Sequence, residues 1–415
     1  MDRLSARGLF SYALLAVPLA MMALPGYVLV PKFYAEAGLS LTLVGTVLLG
    51  TRLLDAVVDP VLGVWIDRVR RRSPLWPLAV ALPFAAFGFV LLFNPPTAME
   101  ISTTTAWLGG SLIAAMFGYS LASIAYQAWG AALASDDANR TRVTTWREGA
   151  GLIGVIVASL VPYTLGIQSL AMVFLLSLAA AMTLMVLWSP RPARNDSAAT
   201  RGAWHSVALP LRSTSFRWLL SVFVLNGIAA AIPASLVLFF VADRLQLEAQ
   251  SGLFLGLYFA AGALSMSLWA KLAKSWPLPK VWLAGMIASI AAFVGSYWLG
   301  AGDFAAFAFI CALSGAALGA DLALPPALLA RVIDANGHQG AHEGAYFGLW
   351  NFVNKLNLAL AAGIALPTLA LLGYAPGARD PGALNALAVA YALLPCLLKL
   401  AAAALLVAAS RGGRF

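Results

Sequence analysis

The sequence predicts an all-α membrane protein with twelve transmembrane helices arranged as two six-helix bundles. Composition gives the first reason, because 61% of the 415 residues are hydrophobic and only 10% are charged, whereas soluble proteins carry about 25% charged residues. The second reason is that apolar stretches of roughly twenty residues, long enough to cross a bilayer core, recur along the whole chain. Each stretch is predicted to be helical, since an open strand would leave its backbone groups without hydrogen bonds in lipid.

The twelve apolar stretches fall into two sets of six. Their approximate limits are 8–34, 40–66, 75–93, 103–133, 147–167, 169–188, 216–242, 251–273, 281–299, 304–330, 345–372 and 383–409. We predict an N-terminal bundle over residues 1–189, a flexible cytoplasmic linker over residues 190–215, and a C-terminal bundle over residues 216–415. The linker prediction rests on its Pro, Ser, Arg and Gly content. Two six-helix halves also predict a central cavity between them.

Basic residues predict the orientation in the membrane. Cytoplasmic loops retain Lys and Arg, and placing the N-terminus inside puts only Lys32, Arg244 and Arg379 on the outer side. We therefore expect a multi-pass protein of a bacterial inner membrane with both termini cytoplasmic. The net charge of +9 then reflects topology and contact with anionic lipids, so no nucleic-acid partner is predicted.

The residues that commonly build catalytic or metal sites are sparse. Cys311 and Cys396 both lie in apolar stretches, and His205, His338 and His342 are scattered over predicted loops, so neither a disulfide framework nor a metal centre is expected. The chain contains no HExxH or GxSxG motif. We therefore do not expect an enzyme, and a polytopic membrane enzyme or sensor is kept only as a remote alternative.

Charged residues inside the second apolar stretch indicate a functional site. Arg52, Asp55 and Asp59 stand at positions i, i+3 and i+7 and therefore share one helical face. A charge near the bilayer centre costs about 2.5–3.5 kcal/mol on insertion scales, and such residues usually mark an ion, proton or substrate pathway. The alternative is a structural ion-pair network of these three residues with Lys355.

Three segments resemble one transporter family. The segment Arg52-Leu-Leu-Asp-Ala-Val-Val-Asp-Pro-Val-Leu-Gly-Val-Trp-Ile-Asp-Arg68 resembles helix II of the glycoside-pentoside-hexuronide:cation symporters, the melibiose permease-like family of the major facilitator superfamily. Residues 124–131 with 139–148 are similar to helix IV and the entry of helix V in that family, and residues 343–355 are similar to helix XI. The resemblance covers nearly the whole chain and implies the major facilitator fold.

The resemblance also implies roles for individual residues. Asp55 and Asp59 would bind the coupling cation, Na⁺ or H⁺, together with Ser123, which stands where melibiose permease has an acid. Arg147 matches an arginine involved in substrate recognition, and Lys355 matches a lysine near the cation site that would pair with the acids, as Arg52 would. The helix I acid that binds sugar in the family is missing, because residues 12–29 contain no carboxylate.

Further polar and aromatic residues in the stretches are candidates for solute binding. They share a position inside an apolar stretch: Tyr126, Gln127, Asp321, Trp350, Asn351, Asn354 and Lys355. The competing interpretations are ordinary packing for the aromatic residue of helix IV, interhelical hydrogen bonding for the asparagines, and structural pairing with a neighbouring helix for Asp321. Asp321 is included because it precedes Pro325-Pro326, where prolines remove backbone donors. Arg147 is expected to open helix V near the cytoplasm, and Lys399 to extend towards the membrane interface.

These features together predict a secondary active transporter. We expect cation-coupled symport of a small polar or amphipathic solute, with sugars or glycosides implied by the resemblance alone, by alternating access. A lipid or lysolipid carrier of the same superfamily is the alternative. Asp67 and Arg68 are first topology determinants and second candidates for a cytoplasmic gate. The expected partners of a monomer are the solute and membrane lipids; no cofactor is expected, and no metal beyond a transported Na⁺.

Overall fold

The computed structural model describes residues 5–36, 38–70, 73–96, 100–134, 136–191, 203–374 and 377–414. These residues form helices and connecting turns, and no strand occurs among them. The α-helices are α1 (Ala6–Ala13), α2 (Ala16–Glu36), α3 (Leu41–Val69), α4 (Trp76–Phe93), α5 (Ile101–Ala132), α6 (Asp137–Thr164), α7 (Ile167–Trp188), α8 (Ala203–Arg212), α9 (Thr214–Phe239), α10 (Ser251–Ser275), α11 (Leu278–Phe293), α12 (Phe304–Ala335), α13 (Glu343–Leu371), α14 (Pro381–Ala388) and α15 (Leu394–Arg411).

Each of the twelve predicted stretches corresponds to a helix or to consecutive helical segments, as expected for an all-α membrane protein. Eight helical segments in the described part of the chain are long and apolar enough to cross a membrane. The other four stretches correspond to α1 with α2, and to α3, α6 and α13. Of these, α3 contains the acidic face and α6 begins with a polar turn. The predicted all-α architecture is therefore confirmed.

The first predicted stretch is interrupted, because α1 ends at Ala13 and α2 begins at Ala16. The prediction of one continuous helix over residues 8–34 was wrong at this point. Pro18 explains the break, since proline has no N–H for the carbonyl of Leu14 and its ring clashes with that same carbonyl. The break lies beside Tyr12, which α1 contributes to the site described below.

Helix α6 begins at Asp137, well before the predicted start at residue 147. Asp136 is the N-cap, and its Oδ1 accepts a hydrogen bond of 2.9 Å from the backbone N–H of Asn139. A capping carboxylate satisfies one of the free donors of the first turn, so the polar segment that resembles a loop in the sequence is helical. Arg147 therefore lies inside a helix and does not open it.

Contact clustering divides the chain into two compact units. Unit 1 comprises Met1–Pro210 with Ile333–Phe352, and unit 2 comprises Leu211–Val332 with Val353–Phe415. The first part of α13 thus belongs to unit 1 and its remainder to unit 2. The bundle and linker boundaries drawn from the sequence remain a prediction, and residues 192–202 of that linker lie outside the described residues.

Each unit has its own packing. In unit 1, α4 packs on α5, α2 on α6, and α3 on α5, with Phe89 and Phe174 in contact at 4.5 Å between ring centroids. In unit 2, α15 packs on α9 and α11. Its aromatic core includes Phe240 stacked on Tyr391 at 4.1 Å. Offset and edge contacts of this kind add about 0.5–1.5 kcal/mol per pair beyond burial.

Candidate functional site

The acidic face of α3 lies in unit 1. Asp59 is fully buried, and Asp55 is half-buried and accepts a hydrogen bond of 2.6 Å from the hydroxyl of Ser120 on α5. Arg52 lies one turn before Asp55 on α3. Ser123, the predicted cation ligand, is buried on α5 one turn after Ser120. The structure thus adds Ser120 to the acidic face, a residue that the sequence analysis missed.

This face offers oxygen atoms to a small cation or a proton. Carboxylate and hydroxyl oxygens are the ligands that hard cations prefer, and Asp55, Asp59, Ser120 and Ser123 provide both kinds on neighbouring helices. Clusters of three or more His, Cys, Asp or Glu side chains suited to a resident metal are absent from the part of the chain that the structure describes.

Tyr126 on α5 pairs with Tyr12 on α1. Their ring centroids are 4.5 Å apart, the hydroxyl of Tyr126 donates to the carbonyl of Tyr12 at 2.9 Å, and the hydroxyl of Tyr12 donates to the carbonyl of Tyr126 at 3.1 Å. Both rings are buried. Each tyrosine hydroxyl therefore binds the backbone of the other helix. These two bonds join α1 to α5 just before the break at Leu14.

Arg147 lies beside this tyrosine pair. Its guanidinium donates to Oε1 of Glu148 at 2.9 Å and 2.6 Å through Nε and Nη2, and it contacts Tyr12. Only 6% of Arg147 is exposed, so this candidate for substrate recognition is buried. The earlier start of α6 is the reason, because it places this arginine in the middle of the packed helices of unit 1.

An amide pair in unit 1 joins α5 to the first part of α13. Nε2 of Gln127 on α5 donates to Oδ1 of Asn351 on α13 at 3.4 Å. The other two amide atoms, Oε1 of Gln127 and Nδ2 of Asn351, are buried without a hydrogen-bond partner among the described residues. Buried polar atoms of this kind are costly. One acceptor and one donor side by side are complementary to a hydroxyl group.

The remaining helix XI candidates differ in their surroundings. Trp350 is buried in the part of α13 that belongs to unit 1. Asn354 is exposed and Lys355 is half-buried, and both belong to the part assigned to unit 2. The structure therefore places Asn351 against Gln127 of α5, whereas Asn354 is exposed.

Asp67 at the end of α3 holds the beginning of α13 within unit 1. Its carboxylate accepts backbone N–H bonds from Gly344 at 2.7 Å and Ala345 at 2.8 Å, which satisfies free donors at a helix N-terminus and complements the helix dipole. Arg70 pairs with Glu343 and lies 3.6 Å from Asp67. Arg68, the second gating candidate, is exposed.

Glycines allow α3 and α13 to approach closely here. A Cβ atom at Gly63 would lie 2.1 Å from the carbonyl oxygen of Gly344, and a Cβ atom at Gly344 would lie 2.3 Å from that of Gly63. Gly348 continues the contact one turn later. Small residues at such an interface let two membrane helices meet through their backbones.

The end of α12 and the loop before α13 pack against other helices of unit 1. Arg140 on α6 pairs with Asp334 at 2.5 Å, and Nε2 of Gln339 donates to the carbonyl of Ala134 at 3.1 Å. Burial lowers the pKa of His338, whose Nδ1 lies 2.9 Å from the hydroxyl of Tyr346. These contacts surround the same end of α3 at which the sequence predicted Asp67 and Arg68 as gating candidates.

Asp321 is the centre of a separate network in unit 2. Its Oδ2 accepts from Nζ of Lys399 at 2.5 Å, and its Oδ1 accepts from Nδ2 of Asn226 at 3.2 Å and from Nε1 of Trp282 at 2.9 Å. Nζ of Lys399 also donates to Oδ1 of Asn226 at 2.9 Å. Four helices, α9, α11, α12 and α15, each contribute one residue.

The sequence analysis missed this network. It assigned Lys399 to the membrane interface, which is wrong, because Lys399 is 6% exposed and bound to an acid. The available signal was the presence of one acid and one lysine inside apolar stretches of the same half, since intramembrane charges usually pair. Pro325 and Pro326, which drew attention to Asp321, lie inside a continuous helix.

Comparison with known sequences gives a family match over almost the whole chain. Residues 9–410 match the family described as MFS/sugar transport protein. The inner membrane symporter YicJ of Escherichia coli (strain K12) is 32% identical over 120 residues, which cover 28% of this chain and 25% of that protein. The isoprimeverose transporter of Lactiplantibacillus pentosus is 32% identical over 132 residues, covering 31% and 27%. The aligned stretches thus span about a quarter of each relative.

Solved structures share the fold at low sequence identity. A bacterial homologue of the iron transporter ferroportin in an outward-facing state superimposes with a TM-score of 0.71 at 17% identity, covering 98% of this chain and 100% of that chain. The transporter FucP in the outward conformation gives 0.69 at 14% identity, covering 96% and 98%. The family match confirms the resemblance that the sequence indicated, and the solved structures share its fold. The chain therefore belongs to the MFS/sugar transport protein family and is a multi-pass membrane protein with the major facilitator fold.

Proposed function

We propose that the protein is a secondary active transporter that couples movement of a small polar solute, a sugar or glycoside, to Na⁺ or H⁺ by alternating access. The observation that carries the proposal is the fully buried carboxylate of Asp59, one turn from Asp55 inside a membrane helix. Support also comes from the relatives, which are named as a symporter and as an isoprimeverose transporter.

The coupling argument follows from electrostatics. Desolvation disfavours a charged carboxylate, whereas a nearby cation favours it. Arg52, on the same helix, would hold one acid ionised while the other exchanges Na⁺ or a proton with water. Binding of the cation would then neutralise a carboxylate in the membrane interior and make an occluded state accessible. Ser120 and Ser123 supply neutral oxygens next to the acids.

The solute argument follows from the amide pair. A sugar hydroxyl donates one hydrogen bond and accepts others, so it would satisfy both Oε1 of Gln127 and Nδ2 of Asn351. Trp350 and Tyr126 supply aromatic surface nearby in the same unit, and Arg147 supplies a guanidinium beside Tyr12. A polyhydroxylated solute fits these donors and acceptors better than an acyl chain, which would leave both amide atoms buried and unsatisfied.

The proposal includes a location and a gate. The excess of Lys and Arg in one set of loops favours a bacterial inner membrane with both termini cytoplasmic, and the protein would work as a monomer among membrane lipids. Asp67 would act as the gating residue, because release of its bonds to Gly344 and Ala345 would free the start of α13. Arg68 would interact with the cytoplasmic lipid surface.

Uptake by proteoliposomes tests the proposal. Radiolabelled pentoses, hexoses and glycosides would be offered under an imposed Na⁺ gradient, an imposed H⁺ gradient, or neither, to wild type, Asp59→Asn and the control Glu248→Gln, an exposed acid. We expect one gradient to drive accumulation in wild type and the control. Asp59→Asn should lose accumulation and retain solute exchange without a gradient. Equal accumulation by Asp59→Asn would refute the coupling role.

A further inference from the structure

Unit 2 contains a cavity of its own. Its volume is about 320 Å³, and every lining residue belongs to unit 2. The lining residues come from α9, α10, α11 and α12 and from the last helical segments of the chain. This volume is at the lower end of the roughly 300–1,000 Å³ typical of small-molecule sites, so it suits one ring or a short chain with a compact polar group.

The charged part of the cavity lining is the ion pair of Asp321 and Lys399. The pair has no net charge, and the carboxylate already accepts bonds from Lys399, Asn226 and Trp282. A charged ligand would have to displace one of these partners, whereas an uncharged hydroxyl can accept from the ammonium and donate to the carboxylate. An ammonium has three donors, and two of them serve Asp321 and Asn226.

The rest of the wall is mostly apolar. Phe254, Tyr258, Phe293 and Tyr391 present rings to the cavity, and Leu318 and Val237 add aliphatic surface. Such a wall favours an aromatic ring or a short alkyl chain, because moving apolar surface out of water is the main favourable contribution at sites of this kind. The cavity lining therefore combines one polar ion pair with a mostly apolar wall.

We propose that this cavity binds an uncharged amphipathic molecule, with a hydroxylated group at Asp321 and Lys399 and an aromatic or short alkyl portion along the tyrosine and phenylalanine wall. The site is distinct from the acidic face of α3 and from the amide pair, which lie in unit 1, and it does not depend on the proposed function. Two sources share this chemistry: a water-soluble glycoside with an apolar substituent, and a monoacylglycerol from the membrane.

Calorimetric titration of the protein in lipid nanodiscs tests the site. The probes are 4-nitrophenyl β-glucoside, glucose and 1-monooctanoylglycerol. Ala234→Phe would fill the cavity, since Ala234 lines it, and Ala288→Phe is the matched control on an exposed position outside the lining. The double variant Asp321→Asn with Lys399→Gln replaces the ion pair by neutral amides without leaving a buried charge uncompensated.

We expect an amphipathic probe to bind at least tenfold more tightly than glucose. Ala234→Phe should weaken this binding at least tenfold, the double variant should also weaken it, and Ala288→Phe should not. Saturation by the nitrophenyl glucoside alone would assign the site to water-soluble glycosides, and saturation by the monoacylglycerol alone would assign it to lipids. The proposal would be overturned if neither the nitrophenyl glucoside nor the monoacylglycerol binds, or if binding is unchanged in Ala234→Phe.

Discussion

The two units handle intramembrane charge differently. In unit 2, one acid and one lysine neutralise each other, and an amide and an indole also donate hydrogen bonds to Asp321. In unit 1, two acids share the α3 face with one arginine, and Asp55 accepts from a serine hydroxyl. The comparison teaches that an acid paired with a lysine suits a charge that stays in place, whereas two acids one turn apart, beside a serine hydroxyl, suit a cation that arrives and leaves.

The largest test concerns the pair in unit 2. Lys399→Met should lower the free energy of unfolding by about 3–5 kcal/mol, because removing one partner leaves a buried charge uncompensated. The double variant Asp321→Asn with Lys399→Gln should lose much less. Thermal unfolding in nanodiscs, followed by intrinsic fluorescence, would compare the two. If both variants lose the same stability, the pair is not a closed electrostatic unit and the comparison fails.

The second test concerns the acids of unit 1. A saturating coupling cation should stabilise wild type, by about 2.7 kcal/mol at one hundred times its dissociation constant, and Asp55→Asn should abolish this gain. The measurement is the melting temperature in NaCl against choline chloride, and at pH 5.5 against pH 7.5. The neutralised double variant in unit 2 should keep the response. If the double variant loses the cation-dependent stabilisation and Asp55→Asn keeps it, the cation site lies in unit 2 and not in unit 1.

A third test asks whether close helix packing holds the acidic face in place. Gly63→Ala should destabilise the protein by about 1–3 kcal/mol, because the added methyl group would meet the backbone of Gly344 and force the helices apart. Gly50→Ala on the same helix is the matched control, since nothing lies within 4 Å of a Cβ atom there. Chemical denaturation would measure both. Equal stability of the two variants would show that α3 and α13 do not need this approach.

The smallest expected effect concerns the amide pair. Asn351→Ala should weaken solute binding about tenfold, or about 1.4 kcal/mol, because it removes the donor that a solute hydroxyl would use. Asn94→Ala, an exposed position at the end of α4, serves as the control. Equilibrium binding of the solute identified by the uptake assay would measure both. Unchanged affinity in Asn351→Ala would remove the amide pair from the proposed solute site.

The sequence predicted the helices because their apolar length is a local property. It also predicted the acidic face of α3, since helical spacing follows directly from residue numbers. It did not predict the break at Leu14 or the early start of α6. Some membrane helices tolerate a proline, so Pro18 alone does not predict the break at Leu14. The capping role of Asp136 becomes clear only once Asn139 is known to be helical.

Partners distant in sequence were beyond reach for a different reason. Lys399 lies 78 positions after Asp321 and 173 after Asn226, and nothing in the local sequence states which helices become neighbours. An isolated lysine near the end of an apolar stretch fits a place at the membrane interface equally well. The contact of Asp67 with Gly344 and Ala345 was hidden in the same way, because a backbone donor has no sequence signature.

The indole of Trp282 gives the unit 2 network a built-in optical reporter. Its N–H donates to the same carboxylate oxygen of Asp321 that Asn226 contacts, so the vibrational frequency of that N–H depends on whether the carboxylate is ionised. Ultraviolet resonance Raman difference spectra between wild type and Trp282→Phe would isolate this one band among the signals of 13 tryptophans. The charge state of a single residue in the membrane interior thereby becomes readable without a chemical label.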